Sequence, residues 1–309
     1  MKILHTADIH IDSPMTARLP SFKIRERRRE LVSNFSELVS AAMREGASAV
    51  IISGDLFDSE RVSTKARDTV LEVIARAPSI TFFYLKGNHE GDALTNVDSP
   101  LPKNLLLFGD NWTYYQGDGI TVAGRSCCSA DMFETLELPK DTKNIIVLHG
   151  ELRERSAAPD VIGKIDAANK GIDYIALGHY HSYAAEPIDS RAVAVYPGIP
   201  EGRGFDEVGD KGYVIIDTAQ TLTYAFRPFA KRKLHIVPLP LDGITSQAEL
   251  IEQAELLFRD IPAADLVRLE LVGEYYPNLW KDTDAIQRRF DDRFYHFEVK
   301  DSSKIKIDP

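Results

Sequence analysis

Asp8 and His10 stand two residues apart at the end of a short apolar stretch that begins at Ile3. Side chains two apart at a strand end point to the same side, so a carboxylate and an imidazole can reach one cation together. Alone, such a pair is also what capping and hydrogen bonding produce. The same arrangement recurs downstream. The apolar run 49–53 leads into Gly54-Asp55, and 80–85 into Gly87-Asn88-His89-Glu90. The run 145–148 leads into His149, and 174–177 into Gly178-His179-Tyr180-His181. In α/β sheets, sites gather beyond the carboxyl ends of strands. Glycine before the polar residue permits a tight turn and close backbone approach.

Taken together these strand ends offer two carboxylates, four imidazoles and one amide: Asp8, Asp55, His10, His149, His179, His181 and Asn88, with His89 to spare. The set is too large for one tetrahedral ion and suits two divalent ions. One carboxylate must then bridge, and Asp55 is the natural candidate. Two such ions would carry surplus positive charge, attract a phosphate and lower the pKa of a bridging water. Nitrogen and oxygen donors without thiolate suit manganese, iron, cobalt or zinc, and ligand type does not choose among them. The remaining histidines, His5, His235 and His296, are read as structural or surface groups.

Hydrophobic periodicity supplies the elements that must place these residues. A helix is expected over 24–45, closed by Gly46, and others over 63–76 and 161–169. Segments 112–116 and 120–123 read as a hairpin, and 193–196, 213–217 and 222–226 as further strands. The first helix opens with Arg25, Arg27, Arg28 and Arg29, either a solvated face or a contact to a phosphate backbone. After about residue 230 the order becomes strand, helix, strand, helix, strand, with Ser246 and Glu249 as a capping-box pair. Two domains are expected, 1–230 and 231–309. The 309 residues carry a formal net charge of −10, which argues against nonspecific coating of nucleic acid but not against phosphate chemistry on bound metals. No apolar run approaches a membrane span and no signal-peptide pattern is present, so the expected location is the cytoplasm. The adjacent cysteines, Cys127 and Cys128, read as buried inert thiols in a reducing compartment.

The motif series Asp8-Ile-His10, Gly54-Asp55, Gly87-Asn88-His89-Glu90, His149 and Gly178-His179-Tyr-His181 resembles that of the calcineurin-like metallophosphoesterase superfamily. The segments 3–10, 53–58 and 196–207 resemble the bacterial SbcD/YhaO-type DNA repair exonucleases, relatives of the nuclease subunit of the double-strand-break repair complex. The resemblance implies a four-layer α-β-β-α sandwich with a small C-terminal α/β cap that contacts DNA. It implies a first metal on Asp8, His10, Asp55 and His181 and a second on Asp55, Asn88, His149 and His179. Manganese is the expected ion. His89 would be the catalytic histidine, orienting the scissile phosphate or protonating the leaving oxygen. Asp58 departs from archaeal and eukaryotic relatives, which usually carry histidine there. The implied partners are DNA, an SbcC-like coiled-coil ATPase, and a second copy of the chain; read from the residues themselves, Arg203, Lys231, Arg232 and Lys233 are either candidate phosphate contacts or an ordinary surface cluster. Relatives usually continue into helices that bind the ATPase, whereas this sequence stops at Asp308-Pro309, so that contact is expected to differ or to lie in a longer chain. The activity expected is a two-metal DNA nuclease. The alternatives are a small-molecule phosphodiesterase or phosphoprotein phosphatase on the same scaffold, and a DNA-end-binding or ATPase-partner subunit whose chemistry is dispensable.

Overall fold

Five parallel strands end beside the residues singled out above, because each is an apolar run buried on both faces. They belong to two six-stranded sheets in a computed structural model that describes residues 1–15, 17–97, 100–129, 131–156 and 158–306. The first sheet runs Thr223–Pro228, Gly212–Asp217, Lys2–Thr6, Ala47–Ser53, Thr81–Leu85, Leu105–Leu107. Its last four strands are mutually parallel, and its first two pair antiparallel. The second runs Ala184–Pro187, Val193–Tyr196, Tyr174–Gly178, Lys143–His149, Ile120–Gly124, Thr113–Gly117, parallel at the centre and antiparallel at both edges. Ile3, Ile51 and Phe83 of the first sheet share one buried cluster with Val122, Val147 and Ala176 of the second. The opposite parity of each strand faces outward, as the two-residue repeat requires.

Helices cover the outer face of the first sheet. Helix α1 (Ser21–Glu45) and helix α2 (Thr64–Ala75) turn Phe35, Leu38, Val39, Val70 and Ile74 onto Leu4, Val50, Ile52 and Phe82. The outer face of the second sheet is covered more thinly. Helix α3 (Lys164–Ala167) spans one turn, and a 3-10 turn at Met132–Glu134 supplies Met132 and Phe133. The helix expected over 161–169 is therefore mostly absent: Val161–Gly163 is a strand paired with Glu151–Arg153. Its apolar residues are too few for a helical face, and Gly163 ends the pairing where α3 begins.

The chain divides into two compact units. The first comprises Met1–Met15, Ser21–Glu201 and Lys211–Ala230; the second comprises Thr16–Pro20, Gly202–Asp210 and Lys231–Pro309. The second holds a parallel sheet, Leu234–Pro240, Leu266–Val272 and His296–Asp301, connected through helix α4 (Gln247–Leu257) and helix α5 (Thr283–Phe290). Phe258, Phe290, Phe294 and Phe297 fill its core. Ser246 caps α4 by accepting the Glu249 N–H at 3.3 Å, while the Glu249 carboxylate accepts from Thr245. His235 and His296 are structural here, 2.9 Å from Asp265 and 3.5 Å from Glu298. No helix among the described residues is long and apolar enough to cross a membrane.

Arg27 resolves differently from its neighbours in α1. It is fully buried, its guanidinium 2.7 Å from Glu30 and 2.8 Å from Glu201, while Asn34 donates to the other Glu201 oxygen at 3.1 Å. Arg25, Arg28 and Arg29 stay exposed. A buried pair deprived of one partner leaves an uncompensated charge. Glu201→Ala is expected to cost about 3 kcal/mol, read as a lower urea midpoint at unchanged slope. An unchanged midpoint would show that Glu30 alone suffices for Arg27.

Candidate metal centre

Four of the predicted ligands form a buried floor. Asp8, His10, Asp55 and His149 lie beneath the surface at the carboxyl ends of their strands. Asp8, His10 and His181 bring ligand atoms within 4.8 Å of one another, and so do Asp8, Asp55 and His149. Asp8 is the carboxylate common to both groups, whereas the motif comparison makes Asp55 the shared one. Both Asp8 oxygens accept the His179 N–H at 3.0 Å. Asn88 Oδ1 lies 3.1 Å from His149 Nε2. The exposed His179 ring stands edge-on to His149 with centroids 5.5 Å apart. His89 is also exposed; its N–H reaches Asp55 Oδ1 at 3.3 Å and its ring lies 6.0 Å from that of His10.

Backbone strain marks this floor. Asp8, His10 and Asp55 have φ of 50°, 49° and 50°, and His179 has 104°. Residues with a Cβ occupy that region at a cost of order 1–3 kcal/mol each, and only where surrounding structure holds them there. The glycines are required by close approach. A Cβ on Gly87 would lie 2.0 Å from Asp55 Oδ1, and one on Gly178 would lie 1.8 Å from the Ser53 carbonyl oxygen. Gly54 combines φ of 91° with a His149 ring that leaves no room for a side chain.

The donor set fits divalent cations. His149 Nδ1 donates to the Ser53 carbonyl at 2.8 Å, which turns its Nε2 toward Asn88 Oδ1 and toward Asp55 Oδ2 at 3.5 Å, where it carries a proton or, with that proton displaced, offers a lone pair to a cation. His10 Nδ1 lies 3.0 Å from Asp58, near enough for an ion pair though not aligned for a hydrogen bond. That leaves His10 Nε2 facing His181 Nε2 at 3.2 Å. Each of these contacts can be closed by a proton that one ring donates, and the same nitrogen and oxygen atoms can turn their lone pairs to a shared cation. Electrostatics agree. Burial would lower the His149 pKa, yet the Asp55 hydrogen bond and the Asp8 and Asp55 charges raise it to about 9. Burial raises Asp8, opposed by His149 and His10. Burial would raise Asp55 too, but its hydrogen bond and proximity to His149 hold it below the usual carboxylate range.

Two supporting residues have no role assigned from sequence. Glu90 is fully buried and accepts the Gly87 N–H at 2.9 Å and the Phe57 N–H at 3.0 Å, tying the Asn88 loop to the Asp55 loop. Burial lifts its pKa to about 7 against those backbone hydrogen bonds. Asp58 sits against His10, the position of a carboxylate that orients a ligand histidine. His5 behaves as a structural group: its ring bonds Tyr174 at 2.9 Å and Ser53 at 3.1 Å, and burial lowers its pKa to about 3. Cys128 is buried and its thiol is pushed up to about 12 by burial, while Cys127 is exposed, contrary to the expectation that both are buried.

The basic candidates lie elsewhere, in the second unit. Arg203 is buried and its guanidinium pairs with Glu207 at 2.7 Å. Arg232 stacks 3.6 Å from the Tyr295 centroid and donates to the Ala264 carbonyl, and Lys233 pairs with Asp210. Lys231 is exposed.

Residues 1–183 match the family described as Calcineurin-like phosphoesterase. The chain belongs to that family. Membership makes it a hydrolase of phosphoester bonds with candidate metal-ligand residues. It is similar to the uncharacterized metallophosphoesterase YhaO of Bacillus subtilis, 26% identical over 74% of this chain and 60% of that protein. It is also similar to the DNA double-strand break repair protein Mre11 of Saccharolobus solfataricus, 24% identical over 91% of this chain and 82% of that one. The Mre11 of Methanosarcina acetivorans is 26% identical over 82% of this chain but only 43% of its own length. The chain thus spans about half the length of several of its curated relatives. A dimetal phosphatase from Danio rerio aligns over 74% of this chain at 12% identity, with a TM-score of 0.45.

Gly178→Ala tests the crowding at this centre. It is expected to cost about 2 kcal/mol of stability and to reduce any rise in melting temperature on adding a divalent cation. Equal melting curves for the two proteins, with and without the ion, would show that the turn has room.

Proposed function

We propose that this chain is a metal-dependent DNA nuclease of the double-strand-break repair type, acting as an exonuclease on phosphodiester bonds. The observation that carries the reading is the reach of one similarity. The match to the S. solfataricus repair protein runs over 91% of the chain, whereas the phosphoesterase match ends at residue 183. A catalytic scaffold alone would not extend the likeness into the second unit.

In this reading Asp8, His10, Asp55 and His181 hold one divalent ion, and Asp55, Asn88, His149 and His179 hold the other. When bound, such ions supply Lewis-acid charge at the phosphate and acidify water, with manganese the expected pair. The chain's own residues do the rest. Asp58 fixes the His10 ring and Ser53 fixes the tautomer of His149. The exposed His89 orients the scissile phosphate or protonates the departing oxygen. The second unit contacts DNA as a cap, with Lys231 the exposed basic candidate for a phosphate. A coiled-coil ATPase of the SbcC type, a second copy of the chain and a cytoplasmic setting complete the proposal.

A second reading is favoured by one observation. Arg203 and Lys233 are already paired with carboxylates in a chain of net charge −10, which suits a smaller phosphodiester or a phosphoprotein. The assay that separates them supplies Mn2+ and compares linear duplex DNA with a chromogenic phosphodiester. The nuclease reading expects degradation of DNA. His89→Ala should slow it by roughly 100- to 10,000-fold, the range for removal of a general acid, at unchanged metal content. Cleavage of the chromogenic ester without DNA degradation, or a His89→Ala protein equal to the parent on DNA, would sink it. Asp8→Ala or His10→Ala should lose one ion, counted by elemental analysis, while far-ultraviolet dichroism is preserved. Two ions retained would refute the assignment of those ligands.

A further inference from the structure

The loop that leaves the candidate metal centre has a second side. Asp8 and His10 face the ligands, and the next residues wall a groove between α1 and α2. Ile11 pairs with Phe57. The Asp12 carboxylate accepts the Ser63 N–H at 3.1 Å, and the Ser13 carbonyl accepts from Arg28 Nε at 3.0 Å. Beyond this wall lies a cavity of about 510 Å³ within the first unit. Arg28, Arg29, Lys65 and Arg76 contribute positive charge to its lining. Two carboxylates share the lining: Asp12, which accepts from the Ser63 N–H, and Glu72, which is paired with Arg76 and offsets its charge. Ser33, whose hydroxyl donates to the Glu30 carbonyl, and Ser36 line the same space beside a partly apolar floor that includes Val32 and Val73. In a protein of net charge −10, a groove that sets Arg28, Arg29 and Lys65 against the single carboxylate of Asp12, beside the Glu72–Arg76 pair, is a local reversal of field. Guanidinium and ammonium donors are the groups that bind backbone phosphates.

We infer that the α1–α2 groove is a sequence-independent binding site for the phosphodiester backbone of a nucleic acid strand, leading away from the metal centre behind the Asp12–Ser13 wall. The inference rests on the nuclease reading for its choice of polyanion. It also decides between the two expectations for the arginine run of α1. Arg27 is internal, while Arg28 and Arg29 are phosphate ligands. Arg28 has a double part, since its Nε holds the wall whose other side carries His10.

The test is salt-dependent binding of a short duplex to the full chain, by fluorescence anisotropy in EDTA so that nothing is cleaved. Arg29 and Lys65 are exposed and hold no element together, so Arg29→Ala/Lys65→Ala is the informative variant. Removing one phosphate ligand should reduce the slope of log K against log salt by about 0.9, so the double variant should show a slope shallower by nearly two and bind roughly tenfold more weakly at low salt. Lys140→Ala/Lys170→Ala removes the same charge near the amino ends of the strands, and should leave the slope unchanged. An unchanged slope in the groove variant, or an equal reduction in the control variant, would overturn the inference. So would a fall in sedimentation coefficient of the groove variant alone, which would make the groove an interface between copies of the chain. Failure here is distinct from failure of the nuclease reading. The latter shows as intact DNA in the metal-loaded assay, the former as an unaltered slope in a protein that does degrade DNA.

Discussion

The first unit is organised by one constraint: nitrogen and oxygen atoms from strand ends far apart in sequence must be held within a few ångströms of one another. His10 and His181 turn their Nε2 atoms on each other at 3.2 Å, and His149 turns its own on the Asn88 carbonyl oxygen at 3.1 Å. A donated proton or a bound cation closes each contact, and the backbone shape that brings these atoms together is costly. The cost is carried by the surroundings. Left-handed backbone at Asp8, His10 and Asp55 is tolerated because apolar strands pin both sides of each loop. Small residues stand wherever a Cβ would fill the space needed by an imidazole or carboxylate. The elevated affinity of His149 for a proton expresses the same pull that draws a metal.

Much of this is legible in the amino-acid sequence. Parallel strands leave the signature of apolar runs ending in glycine and a polar residue, and that signature places Asp8, Asp55, Asn88, His149 and His179 at strand termini. The identity of the bridging carboxylate is not legible. It depends on side-chain rotation after the backbone has turned, and Asp8 and Asp55 stand together in one ligand group with His149. Glu90 is visible as a residue but not as a tie between loops, because its partners are backbone N–H groups that carry no sequence signal. The short strand at Val161–Gly163 reads as helix since three residues cannot display a period.

Charge is the least transparent layer. Arg203 lies in a segment that invites a phosphate contact, yet Glu207 one helical turn along the sequence captures it. Arg27 stands among exposed arginines, and its role is set by Glu201, far away in the chain. A tally of basic residues cannot separate a cation that is free to meet a ligand from one already spent on a neighbour. That difference lies in burial and pairing, which only folded geometry supplies.

The interleaving of the two units has a consequence for heredity. The second unit is not a single appended segment: Thr16–Pro20 and Gly202–Asp210 belong to it as well as Lys231–Pro309. The polypeptide therefore passes between units at five separate points. A domain strung after another can be gained or lost by one recombination event near its border. A unit stitched from three pieces cannot, because any single breakpoint strands at least one of them in a foreign host. The pair is bound to travel through evolution as one inheritance, its small unit altered by point substitution and loop variation instead of by exchange.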